Sequence, residues 1–321
     1  MSKYSFNQLR SIKNLFLLPY FLFFFNTNCN QSTEPKHENE NLIFDWQSDA
    51  QYSSDGEKII FAGLYDSVYA IHFLNKEGKY LGHILENNIY YEEPIFSSPS
   101  WGPYNNKFVV SMNGNLFFIK INGDSLTQLT FSWQDFSPSW SPDGKYVAYT
   151  KSICDPECGI ALYNLNNNTQ KVIGKYGGYA SWNKNSDKIY YYHTLYVKRP
   201  NSQISDYKGF VFNRIDINTL EEDSLFHVEN TELHLWLEDC TVSSDEKYIL
   251  FAASEGAPPQ VYIWKINLEQ NTLSKMTVGN HPSFSPDGTT IVYTNTEKSE
   301  GGLWVMNIDG FNKQRLTKLN R

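Results

Sequence analysis

Ser141-Pro142-Asp143-Gly144 sets a hydroxyl two positions from a carboxylate on a tight turn. Such a pair could do nucleophilic or acid–base chemistry, the acid acting on the hydroxyl. Repetition argues against it. Aligned without gaps on Trp140, the stretch SWSPDGKYVAY recurs as QYSSDGEKIIF from Gln51, SWGPYNNKFVV from Ser100 and SWNKNSDKIYY from Ser181. Two further copies are TVSSDEKYILF from Thr241 and SFSPDGTTIVY from Ser283. The Trp140 position holds Tyr52, Trp101, Trp182, Val242 and Phe284 in the other copies. The Asp143 position holds Asp55, Tyr104, Asn185, Asp245 and Asp287, with successive spacings of 49, 39, 42, 60 and 42 residues. A carboxylate that recurs at this period does a turn's work: Pro fixes φ, Asp favours the next position, and Gly takes the left-handed corner. Other chemical signatures are missing from the chain, including G-x-S-x-G, H-E-x-x-H and the phosphate-binding loop.

The elements that carry these corners follow from the flanking patterns. Each corner leads into an alternating apolar run, and a second run follows: SVYAIHF, NLFFIKI, GIALYNL, FVFNRIDI, QVYIWKI and GLWVMNI. Shorter segments such as LTQLT, LSKMT and KQRLT close the unit. Period-two alternation between turn signals predicts four antiparallel strands per unit. The aromatic content, 22 Tyr, 21 Phe and 8 Trp, suits pleated surfaces. A four-stranded unit cannot cover both its faces alone, and radial stacking does so. The pattern predicts an all-β fold, a six-bladed β-propeller of four-stranded antiparallel blades over residues 42–321.

The segments Pro138-Ser139-Trp140-Ser141-Pro142-Asp143-Gly144-Lys145 and Pro282-Ser283-Phe284-Ser285-Pro286-Asp287-Gly288 resemble the WD40-like PD40 repeat of TolB-like propellers. Leu303-Trp304-Val305-Met306-Asn307-Ile308-Asp309-Gly310 with Arg315-Leu316-Thr317 resembles its second half. The turns of the second and fourth copies are degenerate, and the fifth lacks Pro and Gly. The resemblance implies a propeller that binds partner proteins in cell-envelope assemblies. It also admits a branch of metal-dependent lyases with channel histidines, and peptidase accessory propellers. The chain ends soon after the last repeat, so a following hydrolase domain is not expected.

In a propeller, the innermost strand of each blade leads into the aromatic anchor and starts near one channel mouth. Three residues before each anchor stand Asp49, Ser98, Ser137, Tyr179, Asp239 and His281; one residue earlier lie Glu238 and Asn280. This polar ring is the candidate ligand-binding site. Its acids suit a cation or a basic, amide-rich peptide; a solvated funnel rim is the bland alternative. No catalytic residue, cofactor or metal is assigned, although a channel-bound cation fits the ring. With His281 as the ring's one histidine, a channel enzyme (a metal-dependent lyase or hydrolase of oligosaccharides) is the alternative to a scaffold that binds protein, peptide or glycan. His234, just upstream, and Lys198 and Arg199 in the insertion HTLYVKRPNSQISDYK are secondary candidates.

Residues 1–29 read as a signal peptide. Lys3, Arg10 and Lys13 precede an apolar stretch of 11 residues, Leu15–Phe25, too short to span a bilayer at the ~20 residues a helix needs. Cys29 then precedes a polar tether, residues 30–41. This resembles a bacterial lipoprotein signal, which implies lipidation of Cys29 and a membrane-anchored, exported protein in the periplasm or at the outer membrane or cell surface. Asn26-Thr27-Asn28 departs from the usual aliphatic-then-small residues before such a cysteine. Cys154 and Cys158 bracket three residues between two strand patterns, and a disulfide across that neck is expected in an exported protein. A net charge of −8 without any basic run argues against nucleic acid. A monomer is expected.

Overall fold

The computed structural model describes residues 42–88, 96–152, 157–198, 205–229, 233–256 and 259–320. The expected signal segment, Cys29, the tether, Cys154 and Arg199 lie outside them, as do the side chains of Lys198, His234 and Glu238. The described chain forms six four-stranded sheets, each with its strands in consecutive antiparallel order, and no helix among the described residues. It is a six-bladed β-propeller. The innermost strands are Trp46–Tyr52, Phe96–Trp101, Asp135–Trp140, Gly177–Trp182, Leu233–Val242 and Asn280–Phe284.

The core lies in the seams between blades. Each of the six apolar clusters joins neighbouring blades, and each takes in one anchor. Trp101 packs with Ile60, Ile71 and Phe73 of the first blade, and Trp182 with Ala148 and Ile160 of the third. Trp140 stacks on Phe118 at 4.4 Å between centroids. Burying such rings is worth several kcal/mol each, so the anchors bind blade to blade. The ring closes where Ile43–Phe44 pairs in parallel with Lys318–Leu319. Phe44, fully buried, seals that seam with Leu74, Val292 and Leu303.

The corners explain the motif. Ser141 Oγ donates to Asp143 Oδ1 at 2.7 Å and accepts the Tyr146 N–H at 2.9 Å. Asp143 Oδ1 also accepts the Lys145 N–H at 3.0 Å. The same set recurs at Ser53/Asp55, Ser243/Asp245 and Ser285/Asp287. The departures have local reasons. Gly102 replaces the serine in blade two because a Cβ there would lie 3.0 Å from the Trp140 indole and the Lys107 carbonyl. In blade four Asn183 takes the serine's place, and its Oδ1 accepts the Lys188 N–H at 3.0 Å. Glu246 replaces the blade-five glycine at φ 60°. Its carboxylate reaches back to Asn183 and Tyr190 of blade four, a link that glycine could not make.

Candidate functional site at the channel mouth

Every inner strand is interrupted at the same place. The pairing with the second strand shifts register between Ser48 and Gln51, Ser97 and Ser100, Phe136 and Ser139, Gly178 and Ser181, Glu238 and Cys240, and Asn280 and Ser283. Within each irregularity one residue turns left-handed: Asp49 (φ 56°), Ser98 (49°), Ser137 (49°), Tyr179 (56°), Asp239 (77°) and His281 (49°). Bulges bend a strand and re-aim a side chain. A non-glycine residue held there costs on the order of 1 kcal/mol or more. Asp and His tolerate the conformation better than Ser or Tyr. Six such residues in register amount to a backbone device.

All six line one cavity of about 490 Å3. Below them it is walled by the residues just before the anchors, Ser100, Ser139, Ser181, Thr241 and Ser283 among them, and it ends at Ser54, Pro142, Lys184 and Pro286 of the corners. Several of these hydroxyls already hold blades together: Ser100 Oγ accepts the Trp140 N–H at 3.1 Å and Ser181 Oγ the Val242 N–H at 3.0 Å. Asn280 is not among the residues lining the cavity. For Glu238 and His234 the structure gives the backbone, opposite Ala252 and Ser254 of the next strand. Lys198 ends the strand Lys188–Lys198, which with Ser205–Asp216 extends the hairpin of blade four.

Charge gathers where blades five, six and one meet. His281 Nδ1 lies 3.1 Å from Asp49 Oδ1 and hydrogen-bonds Asp239 Oδ2. Ser98 Oγ reaches Asp49 Oδ1 at 3.4 Å. The three side chains are only 12%, 11% and 23% exposed for His281, Asp49 and Asp239. Burial alone would discharge His281, but the carboxylates of Asp239 and Asp49 outweigh it and raise its pKa well above the usual value. Burial likewise opposes the Asp49 carboxylate, and the charge and hydrogen bond of His281, with Ser98 and Ser48, lower its pKa nonetheless. Both directions favour the ion-paired form, an imidazolium beside the Asp49 carboxylate, and an ionised Asp239 leaves one negative charge in excess. A histidine held protonated cannot act as a general base there. Ligating atoms of the three residues lie within 4.8 Å of one another, a spacing that suits one cation only if His281 gives up its proton. The opposite arc is neutral: Ser98, Ser137 and Tyr179, whose ring stacks on Tyr192 at 5.9 Å.

Two cysteines and two further histidines sit in the framework. Cys240 is buried and free, its thiol pushed up by burial; Cys158 is disulfide-bonded. His72 is buried in blade one with its pKa lowered by burial to about 3; its Nδ1 meets Tyr80 Oη and its Nε2 the Gly63 carbonyl. Asn213 holds His193 at 2.9 Å. Sequence reasoning missed the exposed aromatics Trp133 and Tyr176 in the loops before the third and fourth inner strands. Their only signal is large rings in otherwise turn-like segments, SWQD and YGGY.

A protein described as TolB from Agrobacterium tumefaciens is 18% identical with a TM-score of 0.57, over 73% of this chain and 83% of that one. TolB from Acinetobacter baumannii is 18% identical with a TM-score of 0.59, over 82% of this chain; the chain spans 61% of that protein. Oligogalacturonate lyase from Vibrio parahaemolyticus is 11% identical with a TM-score of 0.52, over 84% of this chain and 90% of that one. These likenesses are of fold. No curated protein matches the sequence. The family model of the prolyl oligopeptidase N-terminal β-propeller domain matches residues 125–295, more than half of the sequence, and the chain belongs to that family.

Proposed function

We propose that this propeller is a binding scaffold of the cell envelope whose channel mouth receives a basic group of a protein or peptide partner. The observation that carries the reading is the Asp49–His281–Asp239 trio, held on left-handed bulges and facing a cavity of about 490 Å3. An excess negative charge in a low-dielectric funnel attracts a lysine, arginine or terminal amine, and the hydroxyl arc offers neutral hydrogen-bond partners beside it. The TolB proteins with the same propeller fold make an envelope protein the natural partner class. The leading segment completes the proposal: residues 1–29 direct export, and lipidation of Cys29 tethers the propeller to a membrane. Channel catalysis through a histidine base or metal ligand is less well supported, because the ring's histidine is committed to two carboxylates that raise its pKa.

The test is site-specific photo-crosslinking in cells. A benzophenone side chain at Ser98 should capture a defined envelope protein, and Asp49→Asn with Asp239→Asn should abolish the adduct. A probe at Asp143 on the corner side should not form it. Equal capture from both ends would remove the channel mouth as the binding site. Labelled palmitate that fails to enter the chain, or enters a Cys29→Ala variant equally, would remove the anchor.

A further inference from the structure

Two exposed aromatics adopt backbone that bulky side chains avoid. Trp133 is 69% exposed at φ 65°, and Tyr176 is 77% exposed at φ 56°. Burial returns little for this strain, and strain kept with little packing gain collects at functional positions. Both precede an inner strand by one or two residues, Asp135–Trp140 and Gly177–Trp182, so both emerge at the mouth end on either side of blade three. Phe131 (73% exposed) belongs to the same loop as Trp133, and Phe136 (37%) stands at the start of the strand that follows.

The backbone holds both rings in place. The Trp133 N–H donates to Oδ1 of the buried Asn115 at 3.0 Å. The Asp135 N–H bonds the Gly114 carbonyl at 2.8 Å, and the Gln134 carbonyl accepts the Ser152 N–H at 2.9 Å. Gly114 is left-handed, and a Cβ there would strike the Trp133 carbonyl at 2.1 Å. The Tyr176 N–H bonds the carbonyl of disulfide-bonded Cys158 at 3.3 Å. A Cβ on left-handed Gly159 would meet the Tyr176 nitrogen at 2.8 Å.

Their surroundings select the ligand. From Leu129 to Ser137 the one charged residue is Asp135, which is buried, and from Tyr176 to Trp182 there is none. Neighbouring Lys175 faces Glu157 at 3.5 Å. A charged ligand finds no counter-charge on these two loops. Apolar anchors of a protein partner favour pockets that desolvate them fully, whereas these rings stand free with hydroxyl and amide neighbours, Ser132, Gln134 and Ser137. An open ring presents its electron-rich face to polarised C–H groups. We propose that Trp133 and Tyr176 form a shelf for a neutral oligosaccharide, whose sugar rings stack on the aromatic faces while the polar neighbours meet its hydroxyls. The shelf does not rest on the channel reading.

The test titrates the full chain with cellohexaose, maltohexaose and chitohexaose by calorimetry and tryptophan fluorescence. At least one should bind, and Trp133→Gly and Tyr176→Ala should each weaken it about tenfold, the worth of one aromatic contact. Trp133→Gly removes the ring while suiting the left-handed backbone, so the variant keeps its fold. Phe311→Ala, at an exposed ring in blade six, should bind as the wild type does. The proposal is overturned if none of the three sugars binds or if binding survives Trp133→Gly. It is also overturned if binding falls only in Asp239→Asn, which would assign it to the channel, or if an apolar peptide rather than a sugar binds in a Trp133-dependent way.

Discussion

The two ends of each inner strand lie about six residues apart and follow opposite rules. At the corner end both geometry and residue repeat: a serine hydroxyl closes on an aspartate in four blades, and asparagine does similar work in a fifth. At the mouth end only geometry repeats. The same left-handed bulge carries Asp, Ser, Ser, Tyr, Asp and His in turn. A fold-building position reuses the residue that solves its local problem. A position kept in costly geometry while its side chain varies is being used for what that side chain presents to the channel.

The largest test of this contrast removes an anchor. Trp182→Ala deletes a ring only 8% exposed, together with its Nε1 hydrogen bond to the Ser139 carbonyl at 2.9 Å. It should cost about 4 kcal/mol in denaturant unfolding while the folded fraction binds a mouth ligand normally. A lost ligand affinity with unchanged stability would reverse the roles assigned to the two regions.

His281→Gln comes next, at about 3 kcal/mol near pH 6, because two partly buried carboxylates lose their counter-ion. Its pH dependence has a defined sign. The raised pKa of His281 gives stability that is complete below about pH 6.5 and is lost as pH rises through the folded value. The lowered pKa of Asp49 gives stability present above 3.8 and lost as pH falls through its folded value. Melting temperature should therefore plateau between these limits and fall on the alkaline side, and His281→Gln should flatten that alkaline limb. An identical limb in the variant would show that the trio is not ion-paired.

Ser141→Ala sharpens the corner side. The hydroxyl is fully buried and serves both Asp143 and the Tyr146 N–H. Its loss should lower unfolding free energy by about 2 kcal/mol, with no change in ligand affinity. The smallest effect belongs to Ser137→Gly. Glycine takes φ 49° without strain, so stability should hold or rise by up to about 1 kcal/mol. A drop beyond that would mean the Ser137 side chain is a structural support.

The fold was legible because its cause is local and repeated: turn chemistry, alternation and a large anchor, six times over. The ring positions were also countable, since Asp49, Asp239 and His281 keep one distance from their anchors. The left-handed bulge was not legible, because no residue type marks it. Nor was the pairing of His281 with carboxylates 42 and 232 positions away, which depends on blades five, six and one being neighbours. In the sequence Gly102 is only part of a degenerate turn, and the approach of Trp140 from the next blade gives it a reason. Trp133 and Tyr176 escaped because an exposed ring leaves no periodic trace.

One pair of substitutions tests the central claim with chemistry held constant. Asp143→Asn and Asp239→Asn each remove one negative charge, at the corner and at the mouth. Calorimetric titration with a pentapeptide amide carrying a single lysine should give equal affinities for wild type and Asp143→Asn, and a loss of about tenfold for Asp239→Asn, the scale of one charge-assisted contact. Equal affinity in all three proteins, or the greater loss in Asp143→Asn, would contradict the assignment of binding to the mouth.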